Sequence, residues 1–416
     1  LTTTRLKKIL LITSGQPSLN PRLVKEADAL AEAGYAVTVI YQYWNAWGTA
    51  LDQKFLASKK WQAIRVNGDP VEQKFSYWLS KAIHKTTKKV AKLIGINAIT
   101  SIFALSRGTY GLIKIAKSIQ ADLYIAHNLA ALPAAVKAAS KYKAKCGFDA
   151  EDLHRYETKT NNMDFNFRLI KYVEEAYFPK ADYLTTSSPL ISERYQSIFP
   201  KLSFSLILNV FPVQEIDITI PNKDYNILKL FWFSQHIGLS RGLQDVIYAL
   251  KLLENEKIEL HLLGSLSIQV KTELDQIISA INFSKAPQIF FYEPIAPDDL
   301  FSFASQFHIG LATEPSFSIN NDLALSNKLF SYLQAGLVLV VSDTSAQESF
   351  IREHPKTGSS YKKGDPQHLA QVLKTYIDDD TLLKNQQLEA SNSAKFNLNW
   401  NIEQKKFLAI VEQTLQ

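Results

Sequence analysis

Ile9-Leu10-Leu11-Ile12-Thr13, followed by Ser14-Gly15, is an apolar run of strand length that ends in a turn. It shows no polar alternation, so it predicts a parallel strand covered on both faces. Between 21 and 33, Leu23, Ala27, Leu30 and Ala31 recur at helical spacing, and Gly34 stops the helix. Val37-Thr38-Val39-Ile40-Tyr41 is the next strand, which makes the opening a βαβ unit. Apolar runs at 123–126, 146–149 and 183–187, each with a helical segment beside it, extend the pattern to a parallel sheet covered by helices.

Polar Pro221-Asn222-Lys223-Asp224 reads as a linker, and a second series follows it. Strands are expected at 228–233, 259–263, 288–291, 309–312 and 337–341, with helices at 243–253, 268–281, 298–305 and 328–335. The fold class is therefore α/β, with two Rossmann-like domains. The first covers 1–212 and carries a basic helical insert at 73–120; the second covers 225–395; a helix occupies 396–416. Doubly wound sheets bind ligands beyond the carboxyl ends of their strands. Two such domains facing a central cleft place the chemistry there.

Composition agrees. The chain has 416 residues, 46% hydrophobic and 21% charged, which excludes the disordered, collagen-like and coiled-coil classes. Cys146 is the single cysteine, so there is no intrachain disulfide and no zinc site built on several cysteines. No run reaches the roughly 18–20 apolar residues of a spanning helix. The start does not read as a signal peptide, because its apolar stretch, Ile9 to Ile12, is too short.

The formal charge of +6 is unevenly spread. From Gln73 to Ala121 there is no acid, but there are Lys74, Lys81, Lys85, Lys88, Lys89, Lys92, Arg107, Lys114 and Lys117. Leu79, Ile83, Val90, Leu93 and Ile94 fall on one helix face and Lys81, Lys85, Lys88 and Lys92 opposite, with Trp78 at the edge of the lysine face. Two readings stand. The lysine face touches an anionic membrane while the stripe packs on the core, or the lysines are a solvated face over that stripe. No motif points to nucleic acid.

Two segments carry candidate chemistry. In Leu230-Phe-Trp-Phe-Ser234-Gln235-His-Ile-Gly238-Leu-Ser-Arg241-Gly242, a strand runs through a glycine loop into a helix, with Arg241 at its start. Helix starts carry free N–H groups that suit phosphate. In the segment 309–336 a strand ends near Glu314, a polar loop containing Asp322 follows, and a second helix opens at Ser326-Asn327-Lys328. Two phosphate-suited helix starts in one domain suggest a diphosphate, hence a nucleotide.

At these residues the chain resembles GT-B glycosyltransferases of family 4, the retaining nucleotide-sugar enzymes. Ser234-Gln235 and Arg241-Gly242 resemble the family's Gly-Arg-x4-Lys-Gly loop, with Gln235 in place of Arg and Arg241 in place of Lys. Ser331-Tyr-Leu-Gln-Ala-Gly336 stands where the second Glu of the Glu-x7-Glu motif holds the ribose, so Ser331 replaces that Glu; Glu314 or Asp322 would be the first. Asn327-Lys328 resembles a subgroup with Lys three residues before that position. In the first half, Asn20-Pro21-Arg22-x2-Lys25-Glu26 resembles the family's first helix. Asp122-Leu-Tyr-Ile-Ala-His127-Asn128 resembles the strand that ends in an active-site His, and Phe148-Asp149-Ala-Glu151-Asp152-Leu-His154 the Asp-x-His-Glu loop.

The resemblance implies a GT-B fold whose last helix crosses back to the first domain. It also implies a hexosyl transfer, with retention, from a nucleotide-sugar to a glycan or lipid-linked acceptor. His127, Asp149, Glu151 and His154 would be catalytic. Ser14, Gly15, Ser234, Gln235, Arg241, Glu314, Asp322, Asn327, Lys328 and Ser331 would bind donor. No cofactor and no metal are expected; Asp378-Asp379-Asp380 reads as a solvated acidic turn. The setting would be cell-envelope polysaccharide synthesis in the cytoplasm, peripheral to the inner membrane face. The departures at Gln235 and Ser331 leave a non-catalytic nucleotide-sugar or glycan binder as the alternative, and a nucleotide-sugar epimerase as another.

Overall fold

The leading apolar run forms β1 (Lys8–Thr13), whose last five residues are buried, as a strand covered on both faces requires. In the computed structural model, which describes residues 5–159, 161, 163–214 and 225–416, it pairs with two parallel neighbours. The linker residues 221–224 lie outside the described residues. The other strands of this sheet are β2 (Ala36–Gln42), β3 (Gln62–Val66), β4 (Leu123–His127), β5 (Lys145–Ala150), β6 (Tyr183–Thr186) and β7 (Phe204–Leu206). Their order is β3-β2-β1-β4-β5-β6-β7. The order reverses between β1 and β4, the place where open α/β sheets bind ligands.

The second sheet holds β8 (Leu228–His236), β9 (Ile258–Ser265), β10 (Gln288–Tyr292), β11 (Ile309–Ala312), β12 (Val338–Ser342) and β13 (Gly358–Tyr361), in the order β10-β9-β8-β11-β12-β13. All pairings in both sheets are parallel. Central β8 feeds two cores: Leu228, Leu230 and Trp232 pack on one face and Phe231 on the other. That two-sided burial explains its unbroken apolar reading.

The chain divides into two compact units, Leu1–Ile207 with Gln404–Gln416, and Leu208–Glu403. The last helix, Trp400–Leu415, starts in the second unit and ends in the first. There Lys7 Nζ donates to the Leu415 carbonyl at 2.6 Å.

The basic helix, Lys74–Ile94, corrects an expectation. Its apolar stripe does not pack on the core: Leu79, Ile83, Val90, Leu93 and Ile94 are all exposed. The packed face is instead Tyr77, Ser80, His84 and Ala91. The Arg107 guanidinium sits 4.6 Å over the Tyr77 ring and donates to Ser80 Oγ at 3.4 Å. His84 Nδ1 lies 2.8 Å from the Phe103 carbonyl, and Ala91 packs with Ala104 and Leu169. These aromatic, polar and small side chains carry no hydrophobic periodicity, so the sequence pattern pointed to the wrong face. The loop expected after Glu314 also contains a short helix, Ile319–Leu323. Asp378 pairs with Lys374, Asp379 caps the helix Asp380–Phe396, and Asp380 pairs with Lys384, so the acidic turn is used locally.

Candidate functional site

The parallel register aligns one residue from each of four neighbouring strands. Thr13 stands beside His127, His127 beside Asp149, and Asp149 beside Thr185. Since residues in register point to one face, these side chains converge at the carboxyl end of the sheet. The helix Pro21–Glu32 supplies Arg22 and Glu26, one turn apart. Arg22 donates to both oxygens of Asp149, at 2.5 and 2.9 Å, and to the Ile207 carbonyl at 2.6 Å. Thr185 Oγ1 donates to Asp149 at 2.7 Å. The His127 ring has Glu26 3.1 Å from Nε2, and Asp149 and Glu151 at 3.4 and 3.3 Å from Nδ1.

Arg22, Glu26, His127 and Asp149 are fully buried, so each charge depends on its partners. Burial drives the Asp149 carboxyl upward, but Arg22 and His127 hold it far below the usual range. Burial lowers the imidazole of His127, and Glu26, Asp149 and Glu151 outweigh it, so the ring is held well above its ordinary value. Glu26 is pushed up by burial, against the pull of His127. Lys25 is lowered to about 7 by burial and by Arg22, despite the nearby acids. Glu26, His127 and Asp149 together offer metal-ligand atoms, yet both Asp149 oxygens already accept from a guanidinium.

In front of this cluster is a cavity of about 430 Å³, lined by Ser14, Gly15, Asn128, Glu151, Asp152 and His154, with Trp44 at its wall. It occupies the crevice after β1 and β4, within the first unit. Thr13 Oγ1 donates to Asn128 Oδ1 at 2.8 Å and accepts from Gly15 N at 3.1 Å, which ties the two strand ends together. Asn128 takes φ +66°, a conformation Asn tolerates better than most residues. His127 and Asp149 do not line the cavity; Glu151 connects them to it, since it both lines the wall and touches His127.

His154 Nδ1 lies 2.6 Å from Glu157, while its buried Nε2 has no hydrogen-bond partner among the described residues. Burial lowers the imidazole, and Glu157 overcomes that and raises it to about 9. A pKa raised above the unfolded value of roughly 6.5 stabilises fully below that pH, and the gain disappears as pH rises through the folded value. The melting temperature of wild type relative to His154→Gln should therefore fall from about pH 6.5 to about pH 9. A constant difference across that window would contradict the pairing.

In the second unit, β8 leads through Leu239–Arg241 into the helix Leu243–Leu252. Gly242 has φ +77°, and a Cβ there would stand 2.3 Å from the Thr313 carbonyl, so the position demands glycine. Thr313 Oγ1 donates to the Arg241 carbonyl at 2.6 Å, which fixes this loop on the end of β11. Glu314, two residues beyond β11, pairs with Lys328 at 2.6 Å and lies 3.9 Å from Arg241. Burial raises the Glu314 carboxyl, but Lys328 and Arg241 bring it below its ordinary value. Lys328 is nearly buried, 5.5 Å over the Trp232 ring, whereas the Arg241 side chain is 45% exposed.

Ser326 precedes the helix Asn327–Gln334 but makes no side-chain cap; its hydroxyl lies 3.3 Å from Glu314. The helix Leu243–Leu252 also starts without a side-chain cap. Ser331 is buried and donates to the Asn327 carbonyl of its own helix. Asp322 stands apart from the Glu314 group and bonds Ser316 and Ser345. Ser234 and Gln235 lie near the end of β8, Gln235 exposed. Ser14 and Gly15 belong to the first unit's cavity and the remaining donor set to the second unit.

Sequence reasoning missed Arg22 and Glu26 as site residues, although charges among the apolar positions of the first helix, beside Leu23, Ala27 and Leu30, were a visible signal. It also missed Glu157 and Trp44.

No family model and no curated protein sequence matches the chain. Solved structures do match in fold. HepE from Anabaena, in complex with UDP, aligns with a TM-score of 0.71 and 13% identity over 98% of this chain and 100% of that one. A glycosyltransferase from Rickettsia africae gives 0.70 and 14% over 99% of both. Sucrose-phosphate synthase from Thermosynechococcus elongatus gives 0.69 and 13% over 98% of both. The chain therefore has the fold of the GT-B glycosyltransferases, two Rossmann-like domains with all-parallel sheets.

Proposed function

We propose that the chain is a glycosyltransferase that moves a hexosyl group from a nucleotide-sugar to a glycan or lipid-linked acceptor, with retention of configuration, as the likeness to family 4 suggests. The observation that carries this reading is the pair of helix starts without side-chain caps, at Leu243 and Asn327, beside Arg241, Glu314 and Lys328. Helix N-termini and an exposed guanidinium suit a diphosphate, and they would stabilise the charge that develops on it as the sugar leaves. Lys328 acts by holding Glu314 in place. HepE, similar in fold, is described in complex with UDP and with UDP-glucose.

The acceptor would occupy the first unit's cavity, where Asn128, Glu151, Asp152 and His154 can bond hydroxyls and Trp44 offers an apolar face. His127 and Asp149 would position Glu151 rather than touch substrate. The work would belong to cell-envelope polysaccharide synthesis on the cytoplasmic side.

Arg241→Ala is expected to weaken UDP or GDP binding by roughly 10- to 150-fold, the range for a hydrogen bond to a charged group, with the circular dichroism spectrum unchanged. Unaltered affinity would remove the diphosphate site as drawn. Transfer itself is read as acceptor-dependent release of nucleoside diphosphate from UDP-glucose and other donors. One observation favours a non-catalytic binder: Ser331, which the resemblance puts where family 4 holds the ribose, donates its hydroxyl to its own helix. Nucleotide binding without acceptor-dependent release would select that reading, and a changed sugar without transfer would select an epimerase.

A further inference from the structure

The helix Lys74–Ile94 is about 32 Å long at 1.5 Å per residue. It has three faces rather than two. Tyr77, Ser80, His84 and Ala91 face the first unit. At about 100° per residue, Phe75, Leu79, Ile83, Val90, Leu93 and Ile94 share a second face, and Lys81, Lys85 and Lys92 a third between those two. The second face is open: Phe75 is 81% exposed, Leu93 86% and Ile94 70%. Trp78, also exposed, lies on the border of the apolar and lysine faces, with Lys81 Nζ 4.8 Å over its ring. A contiguous apolar face of this kind on a soluble surface marks an interaction site.

The charges identify the occupant. No acid occurs from Gln73 to Ala121, so nothing within that stretch offsets its nine cations. A second copy of the helix would bring an equally uncompensated set of cations alongside, which opposes self-association. An anionic surface has the complementary sign, and a bilayer also supplies apolar chains beside its phosphates.

We propose that this helix lies in the headgroup plane of an anionic bilayer, with Phe75, Leu79, Ile83, Val90, Leu93 and Ile94 among the acyl chains. Lys81, Lys85 and Lys92 meet the phosphates and Trp78 sits at the boundary, where its amphipathic ring is suited. The insertion is shallow and reversible, and it holds whether or not the transferase reading does. Attraction to the lysines weakens with salt, while the apolar contribution does not.

The test is co-sedimentation of the full chain with vesicles of phosphatidylglycerol and phosphatidylcholine in equal parts, and with phosphatidylcholine alone, at low and high salt. Binding is expected on the mixed vesicles and much less on the neutral ones. Phe75→Ser, Leu79→Ser and Leu93→Ser combined should cut it by about tenfold or more. The variant should keep its melting temperature, because these side chains are exposed. Equal binding by variant and wild type would overturn insertion in favour of adsorption through lysines alone. No binding, whether the chain sediments as a monomer or as a dimer lost in the variant, would overturn the bilayer as occupant.

Discussion

Asp149→Ala is expected to lower the melting temperature of the first unit by roughly 6–20 °C, or to yield no soluble protein. Asp149 accepts two bonds from Arg22 and one from Thr185, and it faces His127, all without solvent. Among the described residues, its removal leaves the buried guanidinium with the Ile207 carbonyl and the more distant Glu26. Breaking a buried pair on one side costs about 3–5 kcal/mol. In a unit of this size each kcal/mol shifts the midpoint by about 2–4 °C. The penalty belongs to the stranded charge, so the double variant Arg22→Met with Asp149→Leu should lose less than the two single variants summed. Strict additivity would mean the pair is not coupled.

Lys328→Met should have a similar effect on the second unit, about 3–5 kcal/mol, because Glu314 stays buried after its 2.6 Å partner is gone. Arg241 at 3.9 Å and half in solvent is a poor substitute. The loss should appear in thermal unfolding even without nucleotide. Adding Glu314→Gln should recover part of it by removing the unpaired charge. Nucleotide binding should fall as well, since Glu314 stands between the two helix starts. Unchanged stability together with weakened nucleotide binding would instead make Lys328 a direct phosphate ligand.

The central strands were legible because each is covered on both faces and so must be apolar throughout. β3, β7 and β13 were not: Gln62-Ala-Ile-Arg-Val66, Phe204-Ser-Leu206 and Gly358-Ser-Ser-Tyr361 sit at sheet edges, where fewer neighbours demand apolar residues. The candidate cluster was legible in His127, Asp149 and Glu151, which stand at or just beyond the ends of β4 and β5 and which the resemblance named. It was not legible in Arg22 and Glu26. They reach the cluster only because a helix far back in sequence lies across those strands, and single-chain periodicity does not encode that pairing. The outer face of Lys74–Ile94 fails for a related reason. Amphipathicity predicts that one face is buried in something, but it does not say whether that something is the protein.

The return of the last helix to the first unit has a consequence for how the chain is made. Gln404–Gln416 supplies Phe407 and Val411, both buried, to a unit whose other residues end at Ile207. During synthesis nearly two hundred residues of the second unit leave the ribosome before that strip does. The second unit can close as soon as it emerges, in keeping with the folding of domains as units. The first unit, though translated earlier, completes its packing last.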